Sequence, residues 1–207
     1  MSQFFQIHAE NPQPRLIKQA AEIMRSGGLA VLPTDCAYAL ACPLESKQAV
    51  DRVKRIRKLD DKHNFTLLCR DLSEISTYAK VDNTAYRFLK AHTPGANTFI
   101  LNGTREVPRR LMHPKRRTIG IRVPDNAILS AMLEEMGEPV MSTSLILPGE
   151  ELPMSDPYEI RQSLEHAVDL VIDGGYCGFE ATTVVDMTTE DYQITRQGVG
   201  EIAEILP

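Results

Sequence analysis

The sequence predicts an α/β fold: a twisted sheet of mixed parallel and antiparallel strands flanked by helices, in a single domain over residues 1–207. Three observations lead there. Short apolar runs of strand type alternate with segments whose apolar residues recur at helical spacing. The last two strands are joined by a turn too short for a helical crossover, so they must pair antiparallel. No long linker, low-complexity tract or internal repeat divides the chain, and its 43% hydrophobic content is ordinary for one substantial core.

The first helix starts near Pro12 or Pro14, since Leu16, Ile17, Ala20, Ile23 and Met24 repeat at helical spacing and Gly27-Gly28 supply the stop. Residues 29–33 follow as a short buried strand. Ser46 caps a second helix with an inward stripe of Ala49, Val50, Val53 and Ile56. On a helical wheel Arg52, Arg55 and Lys58 fall on the solvated side, but Arg57 lies only about 50° from the centre of the stripe. A guanidinium leaning inward needs an anionic partner, either a carboxylate of the protein or a ligand. A strand at 65–69 and helices at 73–79 and 82–92 come next, the second of these capped by Asp82. Strands at 97–101 and 118–123, a helix at 126–136 and an apolar strand at 139–147 continue the pattern. A helix near 157–165 precedes strands at 168–172, 182–187 and 192–196.

Composition excludes some classes. Cys36, Cys42, Cys69 and Cys177 form no CxxC pair and no zinc-type spacing, so reduced thiols and no structural metal are expected. The start lacks a basic segment followed by an apolar one, and no run approaches about 18 apolar residues; a soluble, cytoplasmic protein with no membrane partner is expected. The net charge of −5 argues against a nucleic-acid partner, but its distribution does not. Residues 52–62 carry six Lys/Arg against two Asp, and residues 105–117 carry six against one Glu. Arg55, Arg109, Arg110, Lys115, Arg116 and Arg117 are therefore candidates for contacting RNA phosphates, against the alternative of a solvated face.

Strand ends carry the candidate chemistry. A strand closing in Pro33-Thr34-Asp35 delivers a hydroxyl and a carboxylate. In TIGIRVP, Ile119, Ile121 and Val123 share one face and leave Thr118, Gly120 and Arg122 on the other. Ser142, Thr143 and Ser144 interrupt an apolar strand, where hydroxyls lower hydrophobic gain unless they bond something. Thr182, Thr183 and Arg196 complete an inventory suited to holding anions rather than attacking carbonyls. No HExxH, Walker A, GxGxxG or GxSxG segment occurs, and no histidine sits in an obvious base–nucleophile pairing.

In order, GG-LAVLPTD, a basic helix end, HTPGANTFIL, IGIRVPDN, STSLILPG, IDGGYCGFEATTVVD and RQG resemble the YrdC-like family of threonylcarbamoyl-adenylate synthases, in its YciO branch. The resemblance implies a twisted mixed sheet with a concave basic groove. It implies an enzyme combining L-threonine, bicarbonate and ATP, usually with Mg²⁺, into threonylcarbamoyl-AMP for tRNA modification, and a link with double-stranded RNA. It places Thr34 and Thr182 at substrate threonine, Arg57, Arg122 and Ser144 at the reacting charge, and Lys58, Ser144 and Arg196 at the nucleotide.

The departures fall in the same place. The family's Lys-x-Arg is Arg57-Lys58-Leu59 here, and its Ser-x-Asn is Ser144-Leu145-Ile146. Loss of one cation and one amide aimed at one charge costs on the order of 10²-fold in rate. A weakened or altered synthase, and a nucleotide- or double-stranded-RNA-binding module without catalysis, are the two functions expected.

Overall fold

The computed structural model describes residues 1–203. Strand β1 (Gln3–Gln6), helix α1 (Pro14–Arg25), β2 (Ala30–Leu32) and β3 (Ala39–Pro43) open the chain. They are followed by α2 (Lys47–Arg57), β4 (Thr66–Leu68), α3 (Leu72–Tyr78), α4 (Asn83–Ala91) and β5 (Asn97–Asn102). After a 3-10 turn at Arg109–Leu111 come β6 (Thr118–Arg122), α5 (Ala127–Met136), β7 (Val140–Ser144) and α6 (Pro157–Leu164). Strands β8 (Leu170–Asp173), β9 (Thr183–Asp186) and β10 (Gln193–Arg196) close it. The ten strands form one mixed sheet in the order β1-β8-β2-β3-β7-β4-β6-β5-β9-β10. Strands β9 and β10 pair antiparallel, as their short connection requires.

Local signals set the helix ends. Pro14 opens α1, where its missing N–H costs nothing, and Gly27 at φ +86° turns the chain out of it. Ser46, Asp71, Asp82, Asn126 and Asp156 each accept a backbone N–H at the start of α2 to α6.

Alternation along the strands sorts residues between two cores. Helices α2, α3, α4 and α6 cover one face, where Val53, Ile75, Phe88 and Ile160 meet Leu40, Leu67, Phe99, Ile121 and Met141. Helices α1 and α5 cover only part of the other, where Ile17, Met24, Leu129 and Met132 meet Ala30, Leu32, Ala41, Leu68 and Val140. In the rest of that second face the small or polar Ser142, Thr66 and Gly120 stand in register across β7, β4 and β6, between Ala41 of β3 and Ile100 of β5.

Differences from the sequence reading have local causes. Strand β3 was not foreseen: all five residues of ALACP are buried, so nothing alternates. Edge strand β1 is only QFFQ and pairs with β8. The strand expected over 139–147 ends at Ser144, because its neighbour β3 begins at the paired Ala39. Arg52, expected on the solvated side, forms an ion pair with Asp169 at 2.6 Å and donates to the Ala167 carbonyl at 2.8 Å. No helix among the described residues is long and apolar enough to cross a membrane.

A Cβ at Gly120 would stand 2.8 Å from Thr66 Oγ1 and 3.1 Å from the Phe65 carbonyl oxygen. Gly120→Val should therefore lower stability by about 1–3 kcal/mol through overpacking, read as a lower urea midpoint with an unchanged slope.

Candidate functional site

The uncovered part of the second face is the floor of a cavity of about 480 Å³. Ala39, Thr66, Gly120, Ser142 and Thr98 floor it, small enough to leave space where helices would otherwise pack. Arg57, Lys62, Arg122 and Arg196 line it together with Thr34, Ser144 and Thr182, and no carboxylate is in the lining. A larger groove of about 830 Å³ beside α4 sets Lys80 against Asp82 and Glu190 and has no comparable convergence of cations.

Arg122 is the most deeply held of these cations, at 6% exposure. It reaches the cavity because Gly120 and Arg122 alternate with the core residues Ile119 and Ile121. Burial draws its pKa down to about 10, which still leaves it charged at neutral pH. Nη2 forms an ion pair with Asp35 Oδ1, while Nε has no hydrogen-bond partner among the described residues. Asp35 Oδ2 accepts the backbone N–H of Asp125 at 2.9 Å, tying the β2–β3 turn to the loop after β6.

Arg57 does lean inward, but its partners are neutral. Nε donates to the Ile146 carbonyl at 3.0 Å and Nη1 to Thr143 Oγ1 at 2.7 Å. No carboxylate pairs with it among the described residues. Burial lowers its pKa. His63 Nε2 stands 3.1 Å from the same Thr143 hydroxyl, and the ring packs edge-on to Phe65 at 5.2 Å. Burial first, then the Arg57 charge, hold His63 down to about 4, with Asp60 opposing weakly.

The Thr34 hydroxyl is committed to its own turn. It accepts the N–H groups of Cys36 and Ala37 at 3.2 and 3.0 Å and donates to the Ala37 carbonyl. Thr182 Oγ1 stands 2.8 Å from Thr98 Oγ1 and accepts from Arg196 Nη2 at 3.0 Å, while Arg196 Nε donates to the Thr182 carbonyl. The Ser144 hydroxyl lines the cavity with no protein hydrogen bond among the described residues.

Other expected site residues lie elsewhere. Lys58 is the left-handed C-cap of α2 with an exposed side chain outside the lining, and Arg55 is exposed on the same helix. Arg109, Arg116 and Arg117 gather with Lys80, Arg105 and His113 around a separate cavity of about 690 Å³. Lys115 is exposed beside it, whereas Arg110 turns inward and donates to the Leu44 carbonyl at 2.5 Å. Lys62, His63 and Asn64 line the main cavity and were missed, since the loop ahead of β4 has no periodicity to read. The only signal there was Phe65, whose burial holds the loop's end on the core.

The residues present do not form a metal-holding set. No cluster of three or more His, Cys, Asp or Glu side chains exists among the described residues. A hard cation such as Mg²⁺ is held chiefly through carboxylate and phosphate oxygens, and this lining has no carboxylate.

The family model Sua5_yciO_yrdC, described as telomere recombination, matches residues 22–198. The chain belongs to this family. The YciO protein of Escherichia coli K12 is 59% identical over the whole of both chains, and its crystal structure superposes with a TM-score of 0.96. The threonylcarbamoyl-AMP synthase of Mus musculus is 28% identical over 83% of this chain and 62% of its own. The fold also matches P. abyssi Sua5 complexed with L-threonine, at a TM-score of 0.87 and 22% identity over 95% of this chain and 58% of that one. Its mixed sheet and flanking helices are those of the Sua5–YrdC structures.

The depressed His63 pKa has a consequence for stability in this family member. Its native value of about 4 lies below the ordinary 6.5, so between them the unfolded chain takes up a proton that the native state refuses. Stability is lost as pH falls through that window. His63→Gln should show a shallower loss than the wild type, measured as urea midpoints at pH 7 and pH 5.

Proposed function

We propose that the cavity binds ATP and L-threonine and, with bicarbonate, forms threonylcarbamoyl-AMP and pyrophosphate. One observation carries this reading: Arg57, Lys62, Arg122 and Arg196 converge with serine and threonine hydroxyls on one space whose lining lacks carboxylates. The threonylcarbamoyl-AMP synthase relatives and the threonine-complexed fold neighbour support a small amino acid beside the nucleotide.

In the reaction, the threonine nitrogen bonds the carbon of bicarbonate with loss of water, giving a carbamate. A carbamate oxygen then attacks the α-phosphorus of ATP as the bond to the bridging oxygen breaks, releasing pyrophosphate. Such a step needs alignment and charge stabilisation rather than a protein nucleophile. Arg57, Arg122 and Ser144 bear on the reacting charge, Thr182 on threonine, and Ser144 and Arg196 on the nucleotide. Thr34 acts by shaping the turn that forms one wall. Mg²⁺ arrives on the ATP phosphates, and the product is the activated group for a tRNA adenosine.

Pyrophosphate release from ATP should depend on L-threonine and bicarbonate, and fall on the order of 10²-fold in Arg57→Ala if the circular dichroism spectrum is unchanged. ATP binding without threonine-dependent release in the wild type would rule the synthase activity out.

A second reading, binding of double-stranded RNA or tRNA, is favoured by the separate cavity lined by Lys80, Arg105, Arg109, Arg116 and Arg117. Charge reversal at Arg109, Arg116 and Arg117 should reduce the slope of log affinity against log salt by roughly 0.9 for each phosphate no longer neutralised. An unchanged slope would leave the loop as a solvated surface.

A further inference from the structure

Arg57, Thr143 and His63 form a hydrogen-bonded chain at the rim of the main cavity. Arg57 Nη1 donates to Thr143 Oγ1 at 2.7 Å, and a guanidinium has no acceptor to offer in return. Arg57 fills one of the two lone pairs of Oγ1 and leaves the hydroxyl proton free to be donated. His63 Nε2, at 3.1 Å, is the one other side-chain partner of Oγ1 among the described residues, and Thr143 is buried. With the hydroxyl donating, Nε2 accepts. In a neutral imidazole the proton then sits on Nδ1.

Neutrality follows from the surroundings, because burial and the Arg57 charge keep His63 from taking a second proton until about pH 4. Nδ1 makes no hydrogen bond within the described residues, and it is not among the buried polar atoms left without a partner. It is therefore open to solvent in a ring that lines the main cavity.

We infer that Thr143 donates to Nε2, and that the resulting His63 Nδ1–H is a substrate-binding donor aimed at an anionic oxygen of the ligand in this cavity. The cation absent at Leu59 and the amide absent at Ile146 leave such a donor uncompensated elsewhere: Leu59 packs against the core, and Ile146 meets Arg57 through its carbonyl. The oxygen belongs either to an ATP phosphate or to a carboxylate of the amino acid. The inference rests on the synthase reading for the identity of that ligand, but the tautomer of His63 does not.

The test uses the full chain labelled with ¹⁵N-histidine. Its five imidazoles are resolved in long-range proton–nitrogen spectra, and His63→Gln assigns the signal. At pH 7 the resting protein should show the Nδ1–H tautomer, and the Nε2–H tautomer or an imidazolium would overturn the inference. Titrations with Mg-ATP and with L-threonine, run separately and followed by calorimetry, should move the Nδ1 resonance with one of them and so name the oxygen.

Two variants separate binding from scaffolding. His63→Asn places an amide N–H near the Nδ1 position but cannot reach Thr143, whereas His63→Gln reaches Thr143 and leaves the Nδ1 position empty. A binding donor predicts affinity within about threefold of wild type for Asn and a loss of about tenfold or more for Gln. The reverse order would reduce His63 to a support for Thr143. Binding with no Nδ1 response sinks this inference alone, and binding of neither ligand by the wild type sinks the synthase reading with it.

Discussion

The Arg122–Asp35 ion pair sits where the inner face of the sheet is left uncovered, and it joins the parts of the fold that make the cavity. Arg122 ends β6, Asp35 belongs to the turn after β2, and the second Asp35 oxygen holds the backbone of Asp125 ahead of α5. A guanidinium at 6% exposure carries a heavy desolvation cost, and a buried charge stripped of its partner typically costs about 3–5 kcal/mol. The pair therefore fixes two loops against one strand end. The unpartnered Nε shows that one carboxylate does not exhaust this guanidinium.

Arg57 solves the same problem differently. Its donors meet a carbonyl and a hydroxyl, so its hydrogen bonds are satisfied while its charge is not neutralised within the described structure. The two arginines thus contribute unequally to the field in the cavity. Arg122 is paired with Asp35, whereas Arg57 lines the cavity with no carboxylate against it among the described residues. Preorganised charge of this kind stabilises a developing anion without reorganisation at the moment of reaction. Burial first, and the Arg57 charge second, keep His63 neutral beside it.

Much of this arrangement was legible in the sequence because it follows from periodicity. The helical wheel turned Arg57 inward, and the alternation of TIGIRVP put Gly120 and Arg122 opposite Ile119 and Ile121. What periodicity does not encode stayed hidden. Strand β3 is buried on both faces, so its five residues carry no alternation. The partner of Arg52 is Asp169, more than a hundred residues away, and no local rule connects them. Thr34 was legible as a strand-end hydroxyl, but whether that hydroxyl serves a ligand or its own turn depended on the backbone of Cys36 and Ala37. His63 lies in a loop, where only the packed structure shows which way a ring faces.

The departures from the family pattern take on a different weight once the loop ahead of β4 is counted. Reckoned residue for residue, Leu59 and Ile146 remove a cation and an amide from one charge. In the fold, Leu59 anchors the end of α2 on the core, and the Lys62–Asn64 segment that follows crosses to the cavity. The Ile146 carbonyl, a backbone group indifferent to side-chain identity, is what Arg57 uses to keep its orientation. The cavity therefore retains cationic and donor groups at positions a motif comparison does not inspect. Their geometry differs: an exposed lysine is a mobile point charge, and an imidazole supplies one directed donor, so neither reproduces a bidentate guanidinium. On the proposed reading, a site rebuilt in this way orients its anion through fewer fixed contacts.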